Sequence, residues 1–199
     1  MDHSANHIML RGVLSQLPCF SHENHGKRFY SFPLEVERLS GAADILPVIL
    51  PEHVLCRMDL SGGDMLEITG QIRTYNKHTP EERKLVISVY AETLTACEGE
   101  FYNNVMLTGT ICKPPVFRQT PLGRQICDVM LAVNRPYRRA DYIPCIFWGG
   151  TAREVGCCPV GTVLQLEGRM QSRDYIKVFA EESRTRTAYE VSGMHVEIL

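Results

Sequence analysis

NHIMLRG at Asn6–Gly12 returns 97 residues later as NNVMLTG at Asn103–Gly109. The same offset carries Pro18 onto Pro115, Gly26 onto Gly123 and Lys27 onto Arg124. It then carries Leu34, Val36 and Arg38 onto Leu131, Val133 and Arg135, and Asp44-Ile45-Leu46-Pro47 onto Asp141-Tyr142-Ile143-Pro144. After one inserted residue, GDMLEITGQI (Gly63–Ile72) aligns with GTVLQLEGRM (Gly161–Met170). After seven more, SVYAETL (Ser88–Leu94) aligns with GMHVEIL (Gly193–Leu199). One offset held across turn and core positions is the mark of an internal duplication. The 199-residue chain therefore divides into two units, 1–98 and 99–199, with the boundary in the polar turn between Thr95 and Tyr102.

Each unit reads as strands. Val105, Leu107 and Gly109 alternate with other residues, as do Val129, Leu131 and Val133, then Ile143, Cys145 and Phe147. Leu164, Leu166, Gly168 and Met170 follow, and Val191 to Leu199 supplies a fifth run. Between the third and fourth runs, Thr151–Cys158 predicts a short helix stopped by Pro159-Gly161; its counterpart is Glu52–Ser61, stopped by Gly62-Gly63. Three strands, a helix and two strands predict an all-β chain of two tandem OB-fold five-stranded barrels, each with its helix between strands three and four.

Composition narrows the function. Hydrophobic residues at 44% and charged residues at 22% are globular values. The most apolar stretch, Ile45–Leu55, is interrupted by Pro47, Pro51, Glu52 and His53, so no membrane span is expected. MDHSANHIML lacks the basic and apolar regions of a signal peptide, which makes a cytoplasmic, nucleoid-associated location the expectation and reduced thiols the state of the eight cysteines. Cys157-Cys158 adjacency and the absence of C-x-x-C give no zinc spacing. His22-Glu23-Asn24-His25 beside His3 and His7 suggests a metal site, but the segment reads as the polar loop between the first two strands, and neither metal nor cofactor is expected. No phosphate-cradling loop, nucleophile elbow or H-E-x-x-H helix is present, so no enzyme is expected. Glu81-Glu82-Arg83-Lys84 and Glu181-Glu182 read as solvated hairpin charge, with Arg184 and Arg186 candidates for backbone contacts to a bound strand.

Charge is unevenly spread: residues 1–99 hold 9 Lys+Arg against 13 Asp+Glu, and residues 100–199 hold 12 against 10. In the second unit Ile143, Cys145 and Phe147 share the core face, which leaves Tyr142, Pro144, Ile146 and Trp148 on the other. On the next strand the outward set is Arg169, Gln171, Arg173 and Tyr175, and the exit from the second strand adds Arg135, Tyr137, Arg138 and Arg139. Aromatics interleaved with arginines suit a single nucleic-acid strand, because every base offers a face to stack on and every phosphate a charge to neutralise. The same composition also suits a protein interface.

The second unit resembles the bacterial single-stranded DNA-binding protein family along nearly its whole length. The residues that carry the resemblance are N-x-V-x-L-x-G at Asn103–Gly109, T-P-x-G at Thr120–Gly123 and L-A-V-N-R at Leu131–Arg135. They continue in D-Y-I-P-C-I-F-W-G at Asp141–Gly149 and L-E-G-R-M-Q-S-R at Leu166–Arg173. The resemblance implies sequence-independent binding and protection of single-stranded DNA in replication, recombination or repair. It implies an aromatic platform at Tyr137, Tyr142, Trp148 and Tyr175, with Arg124, Arg135, Arg138, Arg139, Arg169 and Arg173 on the phosphates. Two units per chain implies a homodimer presenting four OB folds, the chains meeting through their first strands. The family's acidic recruiting tail is not found after Met194–Leu199, so tail-mediated recruitment of replication enzymes is not expected. A tailless primosomal replication protein and an OB-fold interaction scaffold are the alternatives.

The first unit is a diverged copy. At the platform positions it carries Ser40, Ile45, Pro51 and Lys77, with Tyr75 the nearest aromatic. Arg38, Arg73, Tyr75 and Lys77 are expected to make only weaker, secondary contacts, and this half mainly to complete the oligomer. Replacing Ile45 and Tyr75 by alanine is therefore expected to leave strand affinity nearly unchanged in a titration; a loss on the order of tenfold, the worth of one stacked base, would overturn that assignment.

Overall fold

The computed structural model describes residues 5–56, 58–78, 83–179 and 182–199. His3, Glu81, Glu82 and Glu181 lie outside them, and the side chains of Arg83, Glu182 and Arg184 lie outside the described side chains. The first unit comprises β1 (Asn6–Leu14), β2 (Cys19–Asn24), β3 (Lys27–Glu37), β4 (Ala43–Pro51), α1 (Glu52–Leu55), β5 (Met65–His78) and β6 (Arg83–Ala96). The second repeats it as β7 (Tyr102–Ile111), β8 (Val116–Gln119), β9 (Gln125–Arg135), β10 (Arg139–Trp148), α2 (Gly149–Gly156), β11 (Val163–Phe179) and β12 (Glu182–Ile198). Strand order is β2-β3-β4-β6-β5-β1-β7-β11-β12-β10-β9-β8, and β1–β3 and β7–β9 pairings close each half into a barrel. This is the tandem OB-fold architecture. No helix among the described residues is long and apolar enough to cross a membrane.

Alternation drives closure. Ile8, Leu10 and Leu14 of β1 point inward with Leu34, Val36, Leu46, Val48, Leu66 and Ile68, all essentially inaccessible to solvent. Val105, Leu107, Leu131, Val133, Ile143, Phe147, Leu164 and Leu166 do the same in the second barrel. The glycine closing each repeated N-terminal motif sits where β1 or β7 leaves one neighbour for another. A Cβ at Gly12 would lie 2.5 Å from the carbonyl oxygen of Glu35, and one at Gly109 would lie 2.9 Å from the Val133 side chain. Only glycine lets the strands approach this closely.

Three details differ from the sequence reading. Each unit has six strands: β2 and β8 are short hairpin arms exposed at every residue, and so carry no alternation to read. Helix α1 is four residues long and α2 runs Gly149–Gly156; after α1 the chain enters a turn in which the Ser61 N–H donates to the Asp64 carboxylate. The last strands align with four further inserted residues instead of seven. Val48 lies beside Val89, and its repeat partner Cys145 lies beside Val191. The repeat partner of Tyr90 is therefore Ser192.

The two barrels share one sheet because β1 pairs antiparallel with β7, from Asn6 opposite Leu107 to Arg11 opposite Tyr102. The expected meeting of first strands thus occurs within the chain, and those edges are spent. Two side-chain clamps repeat with the fold. Asn6 exchanges hydrogen bonds of 2.7 and 2.9 Å with the Ile72 backbone, and Asn103 does the same with Met170. The second clamp crosses between barrels. Asp44, fully buried, accepts from the Ser172 N–H at 2.6 Å and from its hydroxyl at 3.0 Å, while Arg38 binds the same carboxylate and donates to the Ser172 carbonyl. In mirror image, buried Asp141 accepts from the Thr74 N–H at 2.6 Å and meets Arg73 and Arg135, each at 3.1 Å.

Burial alone would push the Asp44 carboxyl up, but the hydrogen bonds from Arg38 and Ser172 outweigh it and hold the group below its ordinary value. Its contribution to stability is thus complete above the unfolded carboxylate's pKa and is lost as pH falls through the lower folded value. Asp44→Ala, which leaves a half-buried Arg38 without its carboxylate, is expected to cost about 3–5 kcal/mol at neutral pH. In urea denaturation the gap between native protein and variant should narrow below about pH 4; a gap independent of pH would refute the linkage.

Candidate nucleic-acid interface

Strand β10 sends Ile143, Cys145 and Phe147 into the core and presents Tyr142 and Trp148 outward, 45% and 41% exposed. Six residues of strand put them about 20 Å apart on one face. Ile146, expected outside, is 4% exposed: with Ile126 it forms the apolar floor on which Trp148 stands. That floor belongs to a groove of about 570 Å³ whose rim is Arg38, Arg118, Arg124, Arg169 and Arg173. Gln171, expected outward, is buried and donates to Glu190 at 2.8 Å. Arg38 is a residue of the first unit, so the groove is composite.

The rim arginines differ in how they are held. Arg118 is fixed to Asp128 at 2.6 Å, and this pairing holds its guanidinium above the ordinary arginine value. Arg173 faces Glu190 at 3.8 Å, and Arg38 is fixed to Asp44. Arg124 and Arg169 have no carboxylate within ion-pair distance among the described residues, and they give the groove its uncompensated positive charge. Arg118 was missed by sequence reasoning; its place two residues before the Thr120–Gly123 turn, with Arg124 just after it, was the available signal.

Tyr137, Arg138 and Arg139 lie in and beside the β9–β10 turn, away from the groove. Tyr137 is 95% exposed, and both Tyr137 (φ 62°) and Arg138 (φ 56°) adopt the left-handed conformation. At the place of Arg138 the first unit has Gly41 at φ 81°. An arginine where glycine would be relaxed costs on the order of 1 kcal/mol, and strain of this kind persists where a side chain serves a purpose. Tyr175, 39% exposed, extends along β11 opposite Arg186 of β12.

Arg135 is placed differently from the other sequence candidates. Its Nε lies 3.1 Å from Asp141 without a hydrogen bond, and burial, with Arg73 and Arg139 nearby, pulls its guanidinium below the ordinary value while Asp141 opposes. It braces the inter-barrel clamp, as Arg73 does. Tyr75 is 55% exposed and Lys77 is exposed on β5, whereas Ile45 stands 41% exposed where the second unit has Tyr142. Buried Cys127 and Cys145 have thiols pushed up by burial, which suits packing and not nucleophilic chemistry.

Comparison with known proteins places this geometry. Residues 102–199 match the model of the single-strand binding protein family. The chain is similar to single-stranded DNA-binding protein B of Bacillus subtilis, 37% identical over an 81-residue alignment that covers 37% of this chain and 72% of that protein. It is similar to a single-stranded DNA-binding protein of Halalkalibacterium halodurans, 36% identical over 104 residues, covering 49% of this chain and 60% of that one. It spans about half the length of several other curated relatives. The fold resembles the crystal structure of the wild-type single-stranded DNA-binding protein from Thermus aquaticus with a TM-score of 0.80 over 98% of this chain and 92% of that one, at 21% identity.

Trp148 is the sole tryptophan, so the electrostatics of the groove can be read from its fluorescence. Measured against free N-acetyltryptophanamide, the ratio of iodide to caesium quenching is expected to be higher for Trp148 at equal ionic strength, because the arginine rim concentrates anions. A ratio no higher than that of the free indole would contradict a net positive groove.

Proposed function

Because the chain belongs to the single-strand binding protein family, we propose that it binds single-stranded DNA without sequence preference and shields it during replication, recombination or repair. The observation that carries this is the groove: one exposed tryptophan on an apolar floor, ringed by arginines of which two lack carboxylate partners among the described residues. Bases stack on Tyr137, Tyr142, Trp148 and Tyr175. Phosphates lie against Arg124, Arg138, Arg139, Arg169 and Arg173, with Arg118 added. Stacking is indifferent to base identity, since every base has a π-face. Binding withdraws the strand from pairing and from nucleases with no bond made or broken.

A homodimer giving four OB folds belongs to the same proposal. The β1 and β7 edges are occupied within the chain, so the contact is placed on a sheet face instead of between first strands. The outer face of the β1–β7 pair carries Met9 and Met106, the latter 41% exposed, opposite the core-facing Ile8, Leu10, Val105 and Leu107. A two-fold contact there would cover both methionines in each copy, among the polar His7, Arg11 and Asn104 of the same face.

Trp148 fluorescence titrated with oligo-dT at several salt concentrations tests the function. Strong quenching is expected, with log affinity falling by about 0.7 per neutralised phosphate per log unit of salt. Arg169→Ala should reduce that slope by about one phosphate's share. An unchanged tryptophan signal at micromolar strand, or binding indifferent to salt, would instead assign the aromatic face to a protein.

A further inference from the structure

We propose that the first unit carries its own single-strand binding face, built on His22, Phe29 and Tyr90 instead of the positions where the second unit keeps its aromatics. The inference rests on reading the second unit as strand-binding.

The strand registers identify the equivalent surfaces. Phe29 pairs with Pro51 as Ile126 pairs with Trp148, and Tyr90 sits beside Ile49 as Ser192 sits beside Ile146. Where the second groove has its tryptophan, the first has a buried proline. Where the second has Ile126 and Ser192, the first has Phe29 and Tyr90. The aromatic surface has moved one strand to either side. His22 extends the row: it pairs with Phe29 as Arg118 pairs with Ile126, and its ring stacks on Phe29 at 4.8 Å and 9°. Ser21 Oγ, 3.0 Å from Nδ1, fixes the imidazole. Phe29 and Tyr90 lie 6.5 Å apart, and the Arg73 guanidinium covers Tyr90 at 6.0 Å. His22 is exposed and the other two rings are half-exposed on the outer side of the barrel.

Countercharge flanks the row. Lys27 is exposed at the start of β3, just after His25 and Gly26 in left-handed conformations. Further along the β5–β6 arm from Tyr90, Lys77 of β5 lies directly opposite Lys84 of β6, both exposed. Like charges facing across a strand pair destabilise it unless an anion sits between them, and a phosphate backbone is such an anion. Glu52, which follows the β4 strand that pairs with Phe29, is met by Arg28 at 2.9 Å and bonded by Tyr30. A strand leaving the Trp148 groove could thus continue across this face, and the chain would occlude more nucleotides than one barrel can.

The test compares short and long oligo-dT in the full-length protein. Trp148 quenching by a strand of about 8 nucleotides, within the range of one OB fold, reports the second unit alone. In a His22→Ala/Phe29→Leu variant this short-strand affinity should be unchanged, which also shows the variant to be folded. Affinity for a strand of about 35 nucleotides should fall about tenfold, and the occluded length per chain should shrink. As a direct reporter, Phe29→Trp in a Trp148→Phe background should be quenched by the long strand. Unchanged long-strand affinity in the first variant, or an unquenched tryptophan signal in the second, overturns the inference and leaves this face to a protein. Failure of the short strand to quench Trp148 in the unaltered protein would instead overturn the second unit's reading.

Discussion

Two buried carboxylates hold the molecule in its shape. Asp44 and Asp141 are each wholly removed from solvent, each on a strand of one barrel, and each bonded to the backbone N–H and hydroxyl of a residue in the other barrel, Ser172 and Thr74. A lone carboxylate in such a place would be costly enough to unfold a small domain. Here each is met by arginines and by backbone donors, so the cost is offset only when both barrels are in register. The β1–β7 ladder alone could slip or pivot; the clamps fix the angle. They also reach the groove. Ser172 lies between Gln171 and Arg173 in it, and the Tyr142 N–H donates to Thr74 Oγ1 at 2.8 Å. The positions of the groove and of Tyr142 therefore depend on the first unit.

That dependence explains an asymmetric divergence. The interior, the closing glycines, the asparagine clamps and the aspartate clamps repeat in both halves. The outer faces do not. Arg138 replaces the relaxed glycine of the matching turn, Trp148 replaces a proline, and Arg169 stands where the first unit has Gln71. Residues that carry the shared sheet are constrained in both copies, while those that meet solvent are free to specialise one copy at a time.

How much of this could be read from the sequence follows from the same distinction. The duplication, the OB order and the inward-facing residues were legible because turns and alternating apolar positions hold a constant offset. Strands β2 and β8 were not, since a wholly exposed arm has no inside to alternate with. The offset of the last strand was misplaced because the β5–β6 and β11–β12 arms differ in length, 14 against 17 residues, and similar apolar runs admit either register. The outward placement of Tyr142, Trp148 and Tyr175 followed from strand parity. Arg135 and Arg73 looked the same as surface arginines in sequence, but Asp141 meets both: Arg135 from the neighbouring strand of its own barrel, and Arg73 only because one barrel packs on the other. The relocated pair Phe29 and Tyr90 was invisible for a related reason: repeat alignment compares each position with its partner, and the aromatics had moved to different strands.

The pairing of the rim arginines bears on how such a surface works. Of the five, Arg38, Arg118 and Arg173 already face a carboxylate. A phosphate arriving there must share or displace an existing partner, so each contributes less than a bare cation would. Arg124 and Arg169 face none among the described residues, and their attraction is undiminished. The groove thus combines a few strong charges with several held in place and partly satisfied. Glu190, almost wholly buried against Gln171, lies 3.8 Å from the Arg173 guanidinium, a looser pairing than those that hold Arg38 and Arg118. Pre-ordered side chains lower the entropic cost of binding, and partial neutralisation limits its strength. Reversible binding of a charged strand draws on both.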